Sequence, residues 1–388
     1  MGDNMPDWTK EQTAAITLDG SNIIVSAGAG SGKTAVLSER VLRKVKDGID
    51  IDKLLVLTFT NAAAAEMKER IRKKLKKNNF KEQLNKLDSA YITTFDAYSL
   101  SLVKKYHYLL NINKNISICE KSIMDIKKQE ILDDIFEDFY KNDQFKILID
   151  DFCTKDDLDI KKEILKINDK LDRIYDKEKY LDNYLEEYFS DDFIDRKIEE
   201  YTNIIRSKIS LINKYCIELG EYVDNDYYEK ITKDLGELLL AKSYNDMICP
   251  TKLSSLPRNS DEEAKQIKND ITSLLKDING LTIYSSEQEI KNEIKETEKY
   301  VAVIIDLIKE FDKRINLYKN NNDLYEFVDI TKLAIKLVEQ NELVRNELNY
   351  NEILIDEYQD TDDLQDLFIS YIENNNVYMV GDIKQSIY

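Results

Sequence analysis

The chain has 388 residues, 42% of them hydrophobic and 34% charged, with only 10 Gly and 3 Pro, so it can form two or three domains built mostly from long helices. Its net charge of −19 excludes a protein that coats nucleic acid over its whole surface. A single histidine, His107, and four cysteines more than thirty residues apart exclude Cys/His metal clusters and Cys–His or Ser–His nucleophilic sites.

In chain order, the first hundred residues alternate short apolar runs with helical runs. "NIIVSAG" (22–28) reads as a buried strand and 33–46 as a helix. "KLLVLTF" (53–59) is a second strand, "NAAAAEMKERIRKKLKK" (61–77) a helix capped by Thr60 or Asn61, and "AYITTF" (90–95) a third strand before a helix to about 110. From there to about 340, apolar residues recur at helical spacing among dense charges, as in 123–140 and 301–315. The stretch 244–263, around Pro250 and Pro257, reads as the most flexible of this region. Strand patterns return in "NEILIDE" (351–357) and "NVYMVGD" (376–382), with a helix from about 363 between them. The expectation is an α/β domain, its parallel sheet covered by helices on both faces and interrupted by a large all-helical insertion. The absence of a long apolar run predicts a cytoplasmic protein without membrane contact.

The stretch "SAGAGSGKT" (26–34) follows a strand and precedes a helix, the context of a phosphate-binding loop. Backbone N–H groups of Ala27, Gly28, Ala29, Gly30, Ser31 and Gly32 would face phosphate oxygens at a helix N-terminus. Lys33 would neutralise the outer phosphates of ATP and Thr34 would offer its hydroxyl to Mg2+. The usual pattern asks for glycine where Ala27 stands. In "ILIDEYQD" (353–360) an apolar strand ends in two acids, which puts Asp356 in reach of Mg2+ and Glu357 in reach of an attacking water. Phe59, at a strand's carboxyl end, is either a base-stacking residue or core. The seven basic residues of 68–77 either meet phosphates or form a solvated face. Gln385 and Tyr388 in "VGDIKQSIY" (380–388) are candidates for sensing the γ-phosphate and stacking on nucleic acid, beside the plainer reading of a strand-to-loop junction. The first 110 residues carry 18 Lys+Arg against 13 Asp+Glu and the rest 38 against 62, so a polyanion contact is expected on the N-terminal part.

"WTKEQTAAI", "AGAGSGKT", "LTFTNAAAAEMKERI", "LIDEYQDTDDLQ" and "VGDIKQSIY", in this order, resemble superfamily 1 DNA helicases of the UvrD/Rep/PcrA kind, and among them the AddA-type helicase–nucleases. The resemblance implies a RecA-like P-loop NTPase core over 1–110 and 341–388, with a helical accessory domain over 111–340. It implies that Gln12 reads adenine, that Lys33 and Thr34 hold phosphate and Mg2+, and that Asp356 serves Mg2+. Glu357 would be the general base, Gln385 would couple nucleotide state to DNA, and Phe59, Asn61, Thr94 and Tyr388 would touch single-stranded DNA. The further partners implied are double-stranded DNA and an AddB-like nuclease. "TTFDAYS" (93–99) carries Asp96 where the family has a histidine, and an aspartate is a poor neighbour for a phosphate. The family continues beyond the position of Tyr388 with an arginine and a second RecA-like domain. The expected function is therefore the N-terminal motor portion of an ATP-dependent helicase in double-strand break repair. The alternatives are a nucleotide-binding module without efficient turnover and a P-loop ATPase acting on protein partners.

Overall fold

The structure, a computed structural model, describes residues 8–28 and 30–382. The N-terminal third alternates as the sequence pattern requires: α1 (Lys10–Thr17), β1 (Ile23–Ser26), α2 (Lys33–Lys46), β2 (Leu54–Thr58), α3 (Asn61–Lys77), α4 (Lys81–Lys86), β3 (Ile92–Thr94) and α5 (Phe95–Lys105). Threonines start three of these helices: Thr9, Thr60 and Thr94 each accept a bond from a backbone N–H of the first turn. There follow β4 (Ser117–Ile118), α6 (Lys121–Phe139), α7 (Asp143–Phe152), α8 (Leu158–Leu171), α9 (Lys177–Tyr188), α10 (Asp191–Leu219), α11 (Asn225–Leu239), α12 (Glu262–Leu281) and α13 (Glu287–Asn322). The chain then runs through β5 (Leu324–Tyr325), α14 (Phe327–Gln340), α15 (Glu342–Glu347), β6 (Glu352–Asp356), α16 (Asp363–Ile372) and β7 (Val377–Gly381).

Five strands form one parallel sheet in the order β1-β7-β6-β2-β3. The middle strands β2 and β6 are buried at every position, which is why they read as unbroken apolar runs. Their side chains alternate between two cores. Val56 and Leu354 join Leu37, Val41, Met67 and Ile71 of α2 and α3 on one face. Leu55, Leu57, Ile353 and Ile355 join residues of α5, α14 and α16 on the other. The sequence pattern made 22–28 a buried strand as well; β1 is shorter and alternates, with Ile24 64% exposed, because it is the edge of the sheet.

The chain divides into two compact units, Met1–Glu137 with Leu158–Lys177 and Glu310–Tyr388, and Asp138–Asp157 with Glu178–Lys309. The second unit packs Ile198, Ile205 and Ile212 of α10 against Leu235 of α11 and Ile271 and Ile278 of α12. One expectation is corrected here: the region 111–340 is not wholly helical, since β4 and β5 pair in parallel. Its segments α8 and α14 fall in the unit that contains the sheet. The stretch 244–263 is largely irregular; Tyr244 is buried and its hydroxyl donates to the Tyr284 carbonyl (3.1 Å), while Ser254 N–H donates to Asp234 (2.6 Å). Among the described residues no helix is long and apolar enough to cross a membrane.

Candidate active site

Because the five strands are parallel, their carboxyl ends share one edge of the sheet, where ligands bind in open α/β folds. Ser26, Thr58, Thr94, Asp356 and Gly381 end there, and most of the residues singled out in the sequence follow directly after them. The loop after β1 is anchored by Ala27 N–H, which donates to the Gly381 carbonyl (3.0 Å). Gly30 and Gly32 have φ of 76° and 83°, in the left-handed region that a Cβ disfavours. Ala27 is not among the positive-φ residues, so alanine costs nothing where the usual pattern has glycine. Gly32 caps α2, whose first internal bond runs from Val36 N–H to the Gly32 carbonyl. The N–H groups of Lys33, Thr34 and Ala35 therefore have no partner within the helix and suit an anion. Ala29 lies outside the described residues. Gln12, from α1, donates from Nε2 to the Ser31 carbonyl (3.0 Å) and accepts at Oε1 from Thr9 N–H (3.0 Å), so it sits on the loop.

Lys33 is buried to all but 9%, and its Nζ lies 2.7 Å from Oε2 of Glu357, which is 39% exposed. Thr34 follows it in the first turn of α2. Glu357 holds φ 54°, ψ 48°, a left-handed conformation that is strained for a glutamate and turns its side chain back toward Lys33. Gln359 Nε2 also donates to Oε2 of Glu357 (2.8 Å), while its Oε1 accepts from Asp382 N–H (2.9 Å). Partial burial pushes the Glu357 carboxyl up, but the bonds from Gln359 and Lys33 outweigh it and hold the group below its ordinary value. Asp356 behaves in the opposite way. Its side chain is buried and is pushed up to about 6, by desolvation first and by the adjacent Glu357 second. Two neighbouring acids are thus driven apart in proton affinity, a pattern that marks functional pairs.

Phe59 is 61% exposed, which removes the core reading. It shares with Thr58, Thr94, Asp96, Asp356 and Glu357 a cleft of about 120 Å³. Asn61 is exposed in the first turn of α3. Thr94 is buried and its hydroxyl is engaged as the cap of α5, accepting from Ala97 N–H (3.2 Å). Burial, and then the charge of Asp362, push the Asp96 carboxyl up. In the basic run of α3, Lys68 and Arg72 pair with Asp88, Arg70 with Glu66 and Lys74 with Glu39. Gln385 and Tyr388 lie outside the described residues. Sequence reasoning gave no role to Gln359, which links Glu357 to Asp382, although it lies within the quoted "ILIDEYQD".

The chain matches the UvrD/REP helicase N-terminal domain over residues 8–388. It is similar to an ATP-dependent helicase/nuclease of Lactobacillus johnsonii (32% identity over 99% of this chain and 36% of the relative). The ATP-dependent helicase/nucleases of the same name from Pediococcus pentosaceus (30%, 98% and 35%) and Clostridium botulinum (29%, 98% and 35%) are similar too. The chain thus spans about a third of the length of these curated relatives. A match of this extent, over a sheet with the loop and paired acids just described, means that the chain belongs to the UvrD/REP helicase N-terminal domain family.

Proposed function

We propose that the chain is the N-terminal motor portion of an AddA-type DNA helicase, binding ATP with Mg2+ and gripping single-stranded DNA during double-strand break repair. On this reading the unit that contains the sheet is a RecA-like core, the helices of the second unit are the accessory domain, and an AddB-like nuclease is the partner. The observation that carries the reading is the 2.7 Å pairing of Lys33 with Glu357, two residues from separate motifs 324 positions apart. ATP fits the donor set there: a glycine loop, free helix N–H groups and a buried ammonium. Among the described residues no three acidic, thiol or imidazole groups gather for a metal, so Mg2+ would be held by Asp356, Thr34 and the phosphates together, its usual manner. Bound Mg2+ would neutralise charge developing on the phosphates. Lys33 would leave Glu357 for a phosphate oxygen, freeing that carboxylate to accept a proton from water. Gln12 would read the adenine edge, Phe59 would stack on a base and Asn61 would meet the strand.

The test compares two variants by titrating a fluorescent ATP analogue and a labelled single-stranded oligonucleotide. Lys33→Ala should weaken nucleotide binding by about 10-fold or more. Phe59→Ala should weaken oligonucleotide binding by about 5- to 100-fold while leaving nucleotide affinity unchanged. Unchanged nucleotide affinity in the first variant, or unchanged oligonucleotide affinity in the second, would overturn the corresponding assignment.

A further inference from the structure

Behind the phosphate-binding loop lies a cluster of charged groups that the proposed chemistry does not use. Arg40 of α2 is fully buried, and its guanidinium is shared among three elements. Nε and Nη2 donate to Glu352, the first residue of β6 (3.1 and 2.5 Å). Nη1 donates to the carbonyls of Ala15 and Ile16 at the end of α1 (3.0 and 3.3 Å), and Nη2 also reaches Asp19 (3.2 Å). Arg43 donates to the Ile16 carbonyl (3.0 Å) and to Asp19 (2.7 Å), and Lys44 donates to Asp19 (2.7 Å). The ring of Tyr378 lies 4.3 Å from the Arg40 guanidinium carbon, and its buried hydroxyl has no partner among the described residues.

Two cations thus sit on the carbonyls that end α1, the favourable pole for positive charge. Asp19, just past that end, collects three cations. The other end of this short helix carries Gln12. The Gln12 amide has two N–H groups and two acceptor lone pairs, and contacts with Ser31 and Thr9 occupy one of each. One donor and one acceptor remain, the complement of adenine N7 and N6–H2; guanine offers acceptors at both positions. Such discrimination depends on placing the amide correctly, and an eight-residue helix has little stability of its own to do that.

We propose that the Asp19–Arg40–Arg43 cluster is a positioning device for base selection, holding α1 so that Gln12 distinguishes adenine from guanine nucleotides. The proposal rests on the reading of Gln12 given above. Arg40 joins that helix to β6, so the base-reading residue and Asp356 are held from one buried guanidinium.

The experiment measures dissociation constants for ATP, GTP and tripolyphosphate by displacement of a fluorescent nucleotide, in the wild-type chain, Asp19→Asn, Gln12→Ala and the double variant. The wild type should prefer ATP over GTP by about 5- to 100-fold, the worth of one good bidentate base contact. Gln12→Ala should remove that preference. Asp19→Asn should lower it by about threefold or more with tripolyphosphate affinity unchanged, and the double variant should be no less selective than Gln12→Ala alone. Equal loss for all three ligands in Asp19→Asn, or a loss of selectivity that adds to that of Gln12→Ala, would reduce the cluster to structural support and overturn the proposal. An unaltered ATP:GTP ratio in Asp19→Asn would overturn it as well, leaving the role of Gln12 intact if Gln12→Ala still relaxes selectivity. An unaltered ratio in Gln12→Ala would overturn both.

Discussion

Asp356 and Glu357 are adjacent in sequence, yet one carboxyl is raised to about 6 and the other lowered. The difference arises from what each faces: Asp356 ends a strand inside the sheet, while the left-handed backbone of Glu357 swings it to Lys33 and Gln359. Between the ordinary aspartate value of 3.8 and about 6, the folded chain holds the Asp356 proton more tightly than the unfolded chain does. This group therefore makes the fold less stable as pH rises through that window, and the full penalty applies above it. Asp356→Asn should raise stability to urea at pH 7.5 without nucleotide by about 1–3 kcal/mol and remove this group's share of the pH dependence in that window. The same variant should lose Mg2+-dependent nucleotide binding, as read from a Mg2+ titration with a fluorescent nucleotide. Lys33, Asp356 and Glu357 could be named from the sequence because their motifs state their chemistry. Gln359 and the Arg40 cluster could not, because their roles depend on partners brought near only by folding.

At the level of elements, the end of β7 is held by close contact with the turn after β6. A Cβ added at Gly381 would lie 2.6 Å from Oε1 of Gln359 and 3.2 Å from its backbone nitrogen. The side chain can move, but the backbone cannot, and moving Gln359 releases Glu357. Gly381→Ala should cost about 1–3 kcal/mol of stability in urea unfolding and raise the Glu357 carboxyl pKa, as read by NMR titration. An unchanged Glu357 titration in this variant would show that Gln359 does not matter for Glu357. Element existence was mostly legible here: all five strands of the sheet and α2, α3, α5 and α16 fall within the segments marked by apolar periodicity, while α1, α4 and α15 lie outside them. The edge position of β1 was not, since "NIIV" has the composition of a buried parallel strand and only the strand order leaves Ile24 exposed.

On the scale of the molecule, the second unit keeps its own core, running from Ile194 to Ile290. A fragment of residues 178–309 contains that whole core. Expressed alone, it should give a helical circular dichroism spectrum and a single cooperative urea transition with a slope of about 1–3 kcal/mol per molar. A non-cooperative loss of helix would mean that the remaining segment 138–157 is needed for folding. The basic balance of the first 110 residues also looks different in three dimensions. Arg40, Arg43, Lys44, Lys68, Arg70, Arg72 and Lys74 all meet carboxylates, so part of the positive charge counted in the sequence is spent within the fold.

The sequence by itself determined the five strands of the main sheet, most of the helices, a glycine loop of phosphate-binding pattern and the family to which the chain belongs. These are properties of short stretches: periodicity, glycine and threonine at helix starts, and acids at a strand end. The tertiary structure alone decided that β6 lies between β2 and β7, so that Lys33 meets Glu357 across 324 positions. It also decided that Phe59 is exposed, that Asp356 and Glu357 differ in proton affinity, and that one buried arginine joins three elements. Each of these depends on desolvation and on distances between residues remote in the chain, quantities that local sequence does not contain.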